Sequence, residues 1–88
     1  MQYFLGDKIK FNPYNDAWQI FVHNVKWLRQ HFEFSQESMA EMLNISTEKL
    51  KEVEKGEMPE ELTSEVFVRI HNFFGIEAKD IISHMLSD

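Results

Sequence analysis

The stretch from Gln36 to Gly56 constrains this chain more than any other. It holds two short apolar patterns, Met39-Ala40 with Leu43 and then Leu50 with Val53, separated by residues 44–49, which open on Asn44-Ile45-Ser46. Two short helices crossing near right angles need a small residue where their axes approach, and Ala40 provides it. They need a tight turn, which Asn44 can form because asparagine tolerates left-handed backbone geometry. They also need apolar residues that hold the second helix against the first, and Ile45, Leu50 and Val53 serve. The boundaries are marked too. Ser35 is a natural N-cap, and Glu37 suits the positive end of the helix it opens. Ser46 or Thr47 caps the next helix, and Lys55-Gly56 ends it with a cation followed by glycine.

The flanking residues extend this helical pattern. Asn12-Pro13 and Asn15-Asp16 supply helix-start chemistry. Trp18, Phe21, Val22, Val25, Leu28 and Phe32 then follow at spacings of three and four, one helical face toward a core. Ile20, Trp27 and Phe34 form a neighbouring stripe, to be covered either by the N-terminal segment or by a second copy of the chain. Beyond Gly56, Pro59 breaks the chain. Thr63 or Ser64 caps a fourth helix with Val66, Phe67, Ile70, Phe73 and Phe74 inside, and Gly75 ends it. Residues 78–86 read as a final helix with Ile81, Ile82, Met85 and Leu86 apolar. Residues 1–15 stand apart as an N-terminal extension. Gly6-Asp7 between Gln2-Tyr3-Phe4-Leu5 and Lys8-Ile9-Lys10-Phe11 signals a small hairpin, with a loose arm as the alternative. The expected fold is therefore all-α: a compact five-helix domain over 16–88 preceded by that extension. At 88 residues there is room for one domain only.

Several chemistries are disfavoured by what the chain lacks. With no cysteine, disulfides, thiolate metal sites and cysteine nucleophiles are excluded. His23, His31, His71 and His84 have no spacing for a helix-mounted metal site. Gly6, Gly56 and Gly75 are isolated turn residues rather than a phosphate loop. The serines lack the context of an activated nucleophile. Neither a cofactor, a metal nor an enzymatic activity is expected. No apolar run reaches the ~20 residues that span a bilayer, and no secretory signal opens the sequence, so a soluble cytoplasmic domain is expected. The formal net charge is −6. It is concentrated in residues 57–88, where Glu57, Glu60, Glu61, Glu65, Glu77, Asp80 and Asp88 meet only Arg69 and Lys79. Such a chain has no general attraction for nucleic acid.

The ordered set Leu28-Arg29, Ser35-Gln36-Glu37-Ser38-Met39-Ala40, Ile45-Ser46 and Glu54-Lys55-Gly56, followed by a helix ending in Phe74-Gly75-Ile76, resembles the Cro/repressor-type (XRE-like) helix-turn-helix domains. The likeness runs from about Asn24 to Leu86, with the helix-turn-helix unit at 36–56. It implies a repressor-like fold and a small transcriptional regulator that binds operator DNA, with helix 47–55 in the major groove. It implies an internal ion pair between Arg29 and Glu54. It places Gln36 at a DNA phosphate, beside the N–H groups that open its helix. It places Ser46, Thr47, Glu48, Lys49, Lys51, Glu52 and Lys55 along the DNA-facing side, with Thr47, Glu48 and Glu52 at base-reading positions. Lys8, Lys10 and Lys26 become candidate phosphate anchors. A homodimer on paired half-sites is implied as well.

The chain departs from that pattern in its charge. Two reading positions are glutamates, which repel phosphates and accept well only from cytosine N4. Glu48 with Lys51, and Glu52 with Lys55, are spaced to neutralise each other on the helix surface. The resemblance places the turn after the reading helix near the DNA backbone, and here that turn carries Glu57, Glu60 and Glu61. These carboxylates point to a second expectation: a protein-interaction module, an antirepressor or regulatory subunit, whose acidic face meets a basic protein partner on a helix-turn-helix scaffold.

Overall fold

A computed structural model describes residues 16–59 and 62–87. They form five α-helices: α1 (Asp16–His31), α2 (Gln36–Leu43), α3 (Thr47–Glu54), α4 (Glu65–Phe74) and α5 (Ala78–Ile81). The all-α expectation is met. The expected hairpin, Lys8 and Lys10 lie outside the described residues, as do Glu60, Glu61 and Asp88.

Each helix starts and stops for a local reason. The Ser35 hydroxyl accepts the Ser38 N–H at 3.0 Å, and the Ser46 hydroxyl accepts the Lys49 N–H at 3.1 Å. Ser46 rather than Thr47 is therefore the cap of α3. Ser64 precedes α4 in helical backbone geometry, buried, and makes no side-chain capping bond. At the other ends, α1, α2 and α3 finish in one motif. A residue of positive φ donates its N–H three residues back, and its successor donates five residues back, closing the free carbonyls. At α2 these bonds are Asn44 N to Glu41 O at 3.1 Å and Ile45 N to Ala40 O at 3.0 Å. At α3 they are Gly56 N to Val53 O and Glu57 N to Glu52 O, both 2.9 Å. At α1 they are Glu33 N to Gln30 O at 3.1 Å and Phe34 N to Arg29 O at 2.9 Å. Asn44 and Gly56 are the expected residues. Glu33, at φ 58, is not a residue that favours this conformation.

That turn corrects one expectation. Phe32 falls on the inward side of the α1 pattern but lies past the helix end, and it is 50% exposed. Phe34, the residue after the turn, packs on the core instead. Phe73 is likewise 54% exposed, because the next residue, Phe74, takes the inward position against Phe32 and Phe34. The other expected inward residues are buried: Trp18, Phe21, Val25 and Leu28 from α1, Met39, Ala40 and Leu43 from α2, Leu50 and Val53 from α3, Val66, Phe67 and Ile70 from α4, and Ile81. Leu62 joins them. Of the Ile20, Trp27 and Phe34 stripe, all three are half-buried, and Trp27 and Phe34 rest on the core. What the N-terminal segment contributes there lies outside the described residues.

The last helix is shorter than its apolar pattern suggests. α5 stops at Ile81 rather than running to Leu86, and Met85 is 59% exposed. The cause is Asn24, fully buried in α1. Its amide nitrogen donates to Ile81 O at 2.9 Å and His84 O at 2.8 Å. Its amide oxygen accepts the Leu86 N–H at 2.8 Å. Backbone groups that would continue the helix are bonded to a side chain instead. His23 adds a ring-nitrogen contact to Leu86 O at 2.9 Å.

Candidate functional site

α2 packs on α3 and α4, while α1 packs on α3 and α5. The short α3 is thus held on its inner side by two helices. Leu50 and Val53 enter the core, and burying such residues contributes roughly 1.5–3 kcal/mol each. Glu54 also points inward. It meets Arg29 of α1 through two parallel bonds, Nε to Oε2 at 2.7 Å and Nη2 to Oε1 at 2.9 Å. The side chains are 17% and 6% exposed, respectively. Arg29 also donates from Nη1 to Phe34 O at 3.2 Å, so one guanidinium joins α3 to the turn that ends α1. The hydrogen bonds that Arg29 donates to Glu54 hold its pKa above the ordinary value, outweighing the opposing effect of burial. The ion pair expected from the family resemblance is therefore present. A second tie comes from Trp18, whose indole N–H donates to Gly56 O at 3.0 Å and fixes the C-terminal end of α3.

Those inward residues determine the outward ones. With ~3.6 residues per turn, the side of α3 opposite Leu50, Val53 and Glu54 is centred on Glu48, flanked by Glu52, Lys51 and Lys55. Glu48, Lys51 and Lys55 are exposed, and Glu52 is half-buried. Ser46 is exposed, with its oxygen committed to the Lys49 N–H. Thr47 and Lys49 lie half-buried toward the flanks. The structure thus places Thr47, Glu48, Lys49, Lys51 and Glu52 on α3, with Ser46 and Lys55 as its caps, and gives Glu48, Lys51, Glu52 and Lys55 the outer face. Gln36 is different. Its half-buried side chain turns toward α3, with Nε2 3.4 Å from Glu54 Oε1.

The expected neutralising pairs do not form. Among the described residues, no ion pair joins Glu48 to Lys51 or Glu52 to Lys55. Exposed pairs at this spacing gain only about 0.3–0.5 kcal/mol, which barely offsets the loss of side-chain freedom. The turn after α3 is anchored by apolar residues: Met58 rests on the core and Pro59 is buried, while Glu57 is exposed. One bond escaped the sequence reading. The Asn44 amide donates to Glu65 Oε2 at 3.0 Å, tying the turn between α2 and α3 to α4. The sequence offers no signal for that long-range bond beyond the polar character of both residues.

Elsewhere, a depression of about 230 Å³ lies between α4 and α5, lined by Ser64, Phe67, Val68, His71, Glu77 and Ala78. It is smaller than the ~300–1,000 Å³ of sites that enclose drug-sized ligands. Among the described residues, no group of three or more His, Asp or Glu is placed to hold a metal ion. None of their helices is long and apolar enough to cross a membrane.

No protein-family model matches the chain, and no curated protein matches it in sequence.

Proposed function

We propose that the protein is a small sequence-specific DNA-binding regulator whose α3 enters the major groove. The observation that carries this reading is the α2–turn–α3 unit. Two eight-residue helices meet over a turn with Asn44 in left-handed geometry, and α3 is fixed from behind while Glu48, Lys51 and Lys55 on its opposite side are exposed among the described residues. That is the architecture in which a second short helix presents side chains near its start to base edges. Lys51 and Lys55, exposed on that side, supply the positive charge a duplex requires. The half-buried Gln36 opens α2, whose first N–H groups offer a phosphate contact.

The test is fluorescence anisotropy against duplexes from the protein's own upstream region, titrated with salt. Log affinity is expected to fall linearly with log salt. Replacing Lys55 by alanine should reduce the slope by about 0.9 for a phosphate that is no longer neutralised, and replacing Lys51 by alanine should lower the affinity. An unchanged slope and affinity would refute the placement of α3. A second reading draws on Glu48 at the centre of the outer face with Glu52 beside it. There the unit is a scaffold for a basic protein partner, as in an antirepressor or regulatory subunit. Failure of the folded protein to bind any duplex at low salt selects that second reading.

A further inference from the structure

The outer face of α3 carries an arrangement that costs the helix stability. Glu48 and Glu52 are one turn apart on the same side, like charges at a spacing that destabilises a helix. Neither has a cationic partner within ion-pair distance among the described residues, although Lys51 and Lys55 share the face. Among the described residues these charges are thus left without an ion-pair partner, and the pattern of signs limits what ligand could meet them.

Resting on the DNA-binding reading above, we propose that Glu48 and Lys51 read adjacent base pairs. Glu48 accepts from the N4 amino group of a cytosine, and Lys51 donates to O6 and N7 of a guanine in the neighbouring pair. The choice of cytosine follows from the edges that bases present in the major groove. Guanine offers only acceptors there. Thymine offers an acceptor and a methyl group. Adenine offers a donor beside an acceptor, so a carboxylate that meets its amino group also meets the lone pair of N7. Cytosine presents a donor with no acceptor on its own base, so its amino group has an acceptor, the O6 of the paired guanine, on one side only, whereas that of adenine has one on each side. Glu52, one turn on, keeps the local potential negative and sharpens this rejection of acceptor-rich edges. Lys51 has the opposite preference and selects guanine. Along the helix axis the two readers are separated by about 4.5 Å. The base step is about 3.4 Å, so side chains of this length span neighbouring pairs. The cap at Ser46 fixes the first turn, and with it the position of Glu48 at the entering end of the helix.

The experiment is selection of the intact protein and of Glu48→Gln from a pool of randomised duplexes at low salt. The wild-type protein is expected to enrich a motif with a cytosine adjoining a guanine, and to disfavour other bases at the cytosine by about tenfold or more. Glutamine pairs with N6 and N7 of adenine. Glu48→Gln should therefore move that one position from cytosine to adenine and tighten binding to all duplexes, because a repelled charge is gone. Lys51→Ala should relax the guanine and leave the cytosine. An enriched motif that Glu48→Gln leaves unchanged overturns the Glu48 assignment while DNA binding stands. Enrichment of no sequence by the folded wild-type protein overturns the DNA-binding reading itself.

Discussion

Cutting the Arg29–Glu54 pair tests what orients α3. The two bonds, 2.7 and 2.9 Å long, join side chains that are 17% and 6% exposed. Replacing Arg29 by methionine keeps the apolar stem but leaves the Glu54 carboxylate with only the Gln36 amide, at 3.4 Å. A nearly buried carboxylate stranded in this way costs about 3–5 kcal/mol. Replacing Glu54 by leucine strands the guanidinium instead. Arg29 retains its bond to Phe34 O and can extend its stem toward water, so the expected loss is smaller, about 2–3 kcal/mol. The double variant removes both charges together, and its stability should return to within about 1 kcal/mol of the parent. Non-additivity of at least about 4 kcal/mol is therefore expected in the cycle. Urea unfolding followed by far-UV circular dichroism measures each value, read as a change in midpoint at constant slope. A domain of this size holds about 4–13 kcal/mol, so toward the lower end of that range Arg29→Met would already be unfolded in water, which itself counts as the expected large loss. Additive single effects, or single losses below about 1 kcal/mol, would refute the view that the pair positions α3.

The pair also has a definite pH behaviour on the arginine side. The folded-state pKa of Arg29 is raised by its bond to Glu54. Its contribution is fully present below the ordinary guanidinium pKa and is lost only as pH rises through the higher folded value. That window lies in strong alkali, so Arg29 contributes no pH dependence to stability near neutrality.

Two other perturbations probe the chain ends of α1 and α5. Asn24→Ala removes the partner of Ile81 O, His84 O and the Leu86 N–H at once, and should cost about 2–3 kcal/mol in urea unfolding. Amide exchange at Leu86 should accelerate more than exchange in α2, and equal acceleration would argue against a local clasp. Glu33→Gly should stabilise the protein by up to about 1 kcal/mol, because glycine adopts the φ of 58 at that position without a Cβ penalty. A lowered thermal midpoint would show that the Glu33 side chain makes a stabilising interaction that outweighs its strained backbone.

The parts of this fold that were legible in the sequence are those set by local chemistry. Ser35, Ser46, Asn44, Gly56 and Gly75 each mark a helix end through a capping hydroxyl or a tolerance for left-handed geometry, and each lies at such an end. The inward residues of α2 and α3 follow from helical spacing in the same way. The misplaced residues answer to causes that spacing does not carry. Phe32 continues the α1 pattern, but Glu33 turns the chain although glutamate carries no turn signal. Residues 82–86 have a helical apolar pattern, but Asn24, distant in sequence, claims their backbone groups. In the candidate site, the exposure of Glu48, Lys51 and Lys55 was legible from the period. The turning of Gln36 toward Glu54 was not, because it depends on where Arg29 leaves a carboxylate oxygen with room for another donor.

The two sides of α3 are consequently under separate control. Its inner side is fixed by Leu50, Val53, Glu54 and the Trp18 bond to Gly56, all of which face α1, α2 or the core. Among the described residues its outer side makes no ion pair through Glu48, Lys51, Glu52 or Lys55. Substitution on the outer side should therefore change recognition with little effect on stability, since exposed charges away from packed features move it by only about 0.5 kcal/mol. Substitution on the inner side should lower stability first, and should alter recognition only by letting α3 tilt. A helix of eight residues cannot hold its own orientation, because isolated helices shorter than ~12–15 residues are marginal in water. The charge pattern of the outer face is thus free to vary because the buried Leu50 and Val53, together with Arg29 and Trp18 of α1, hold the helix that carries it.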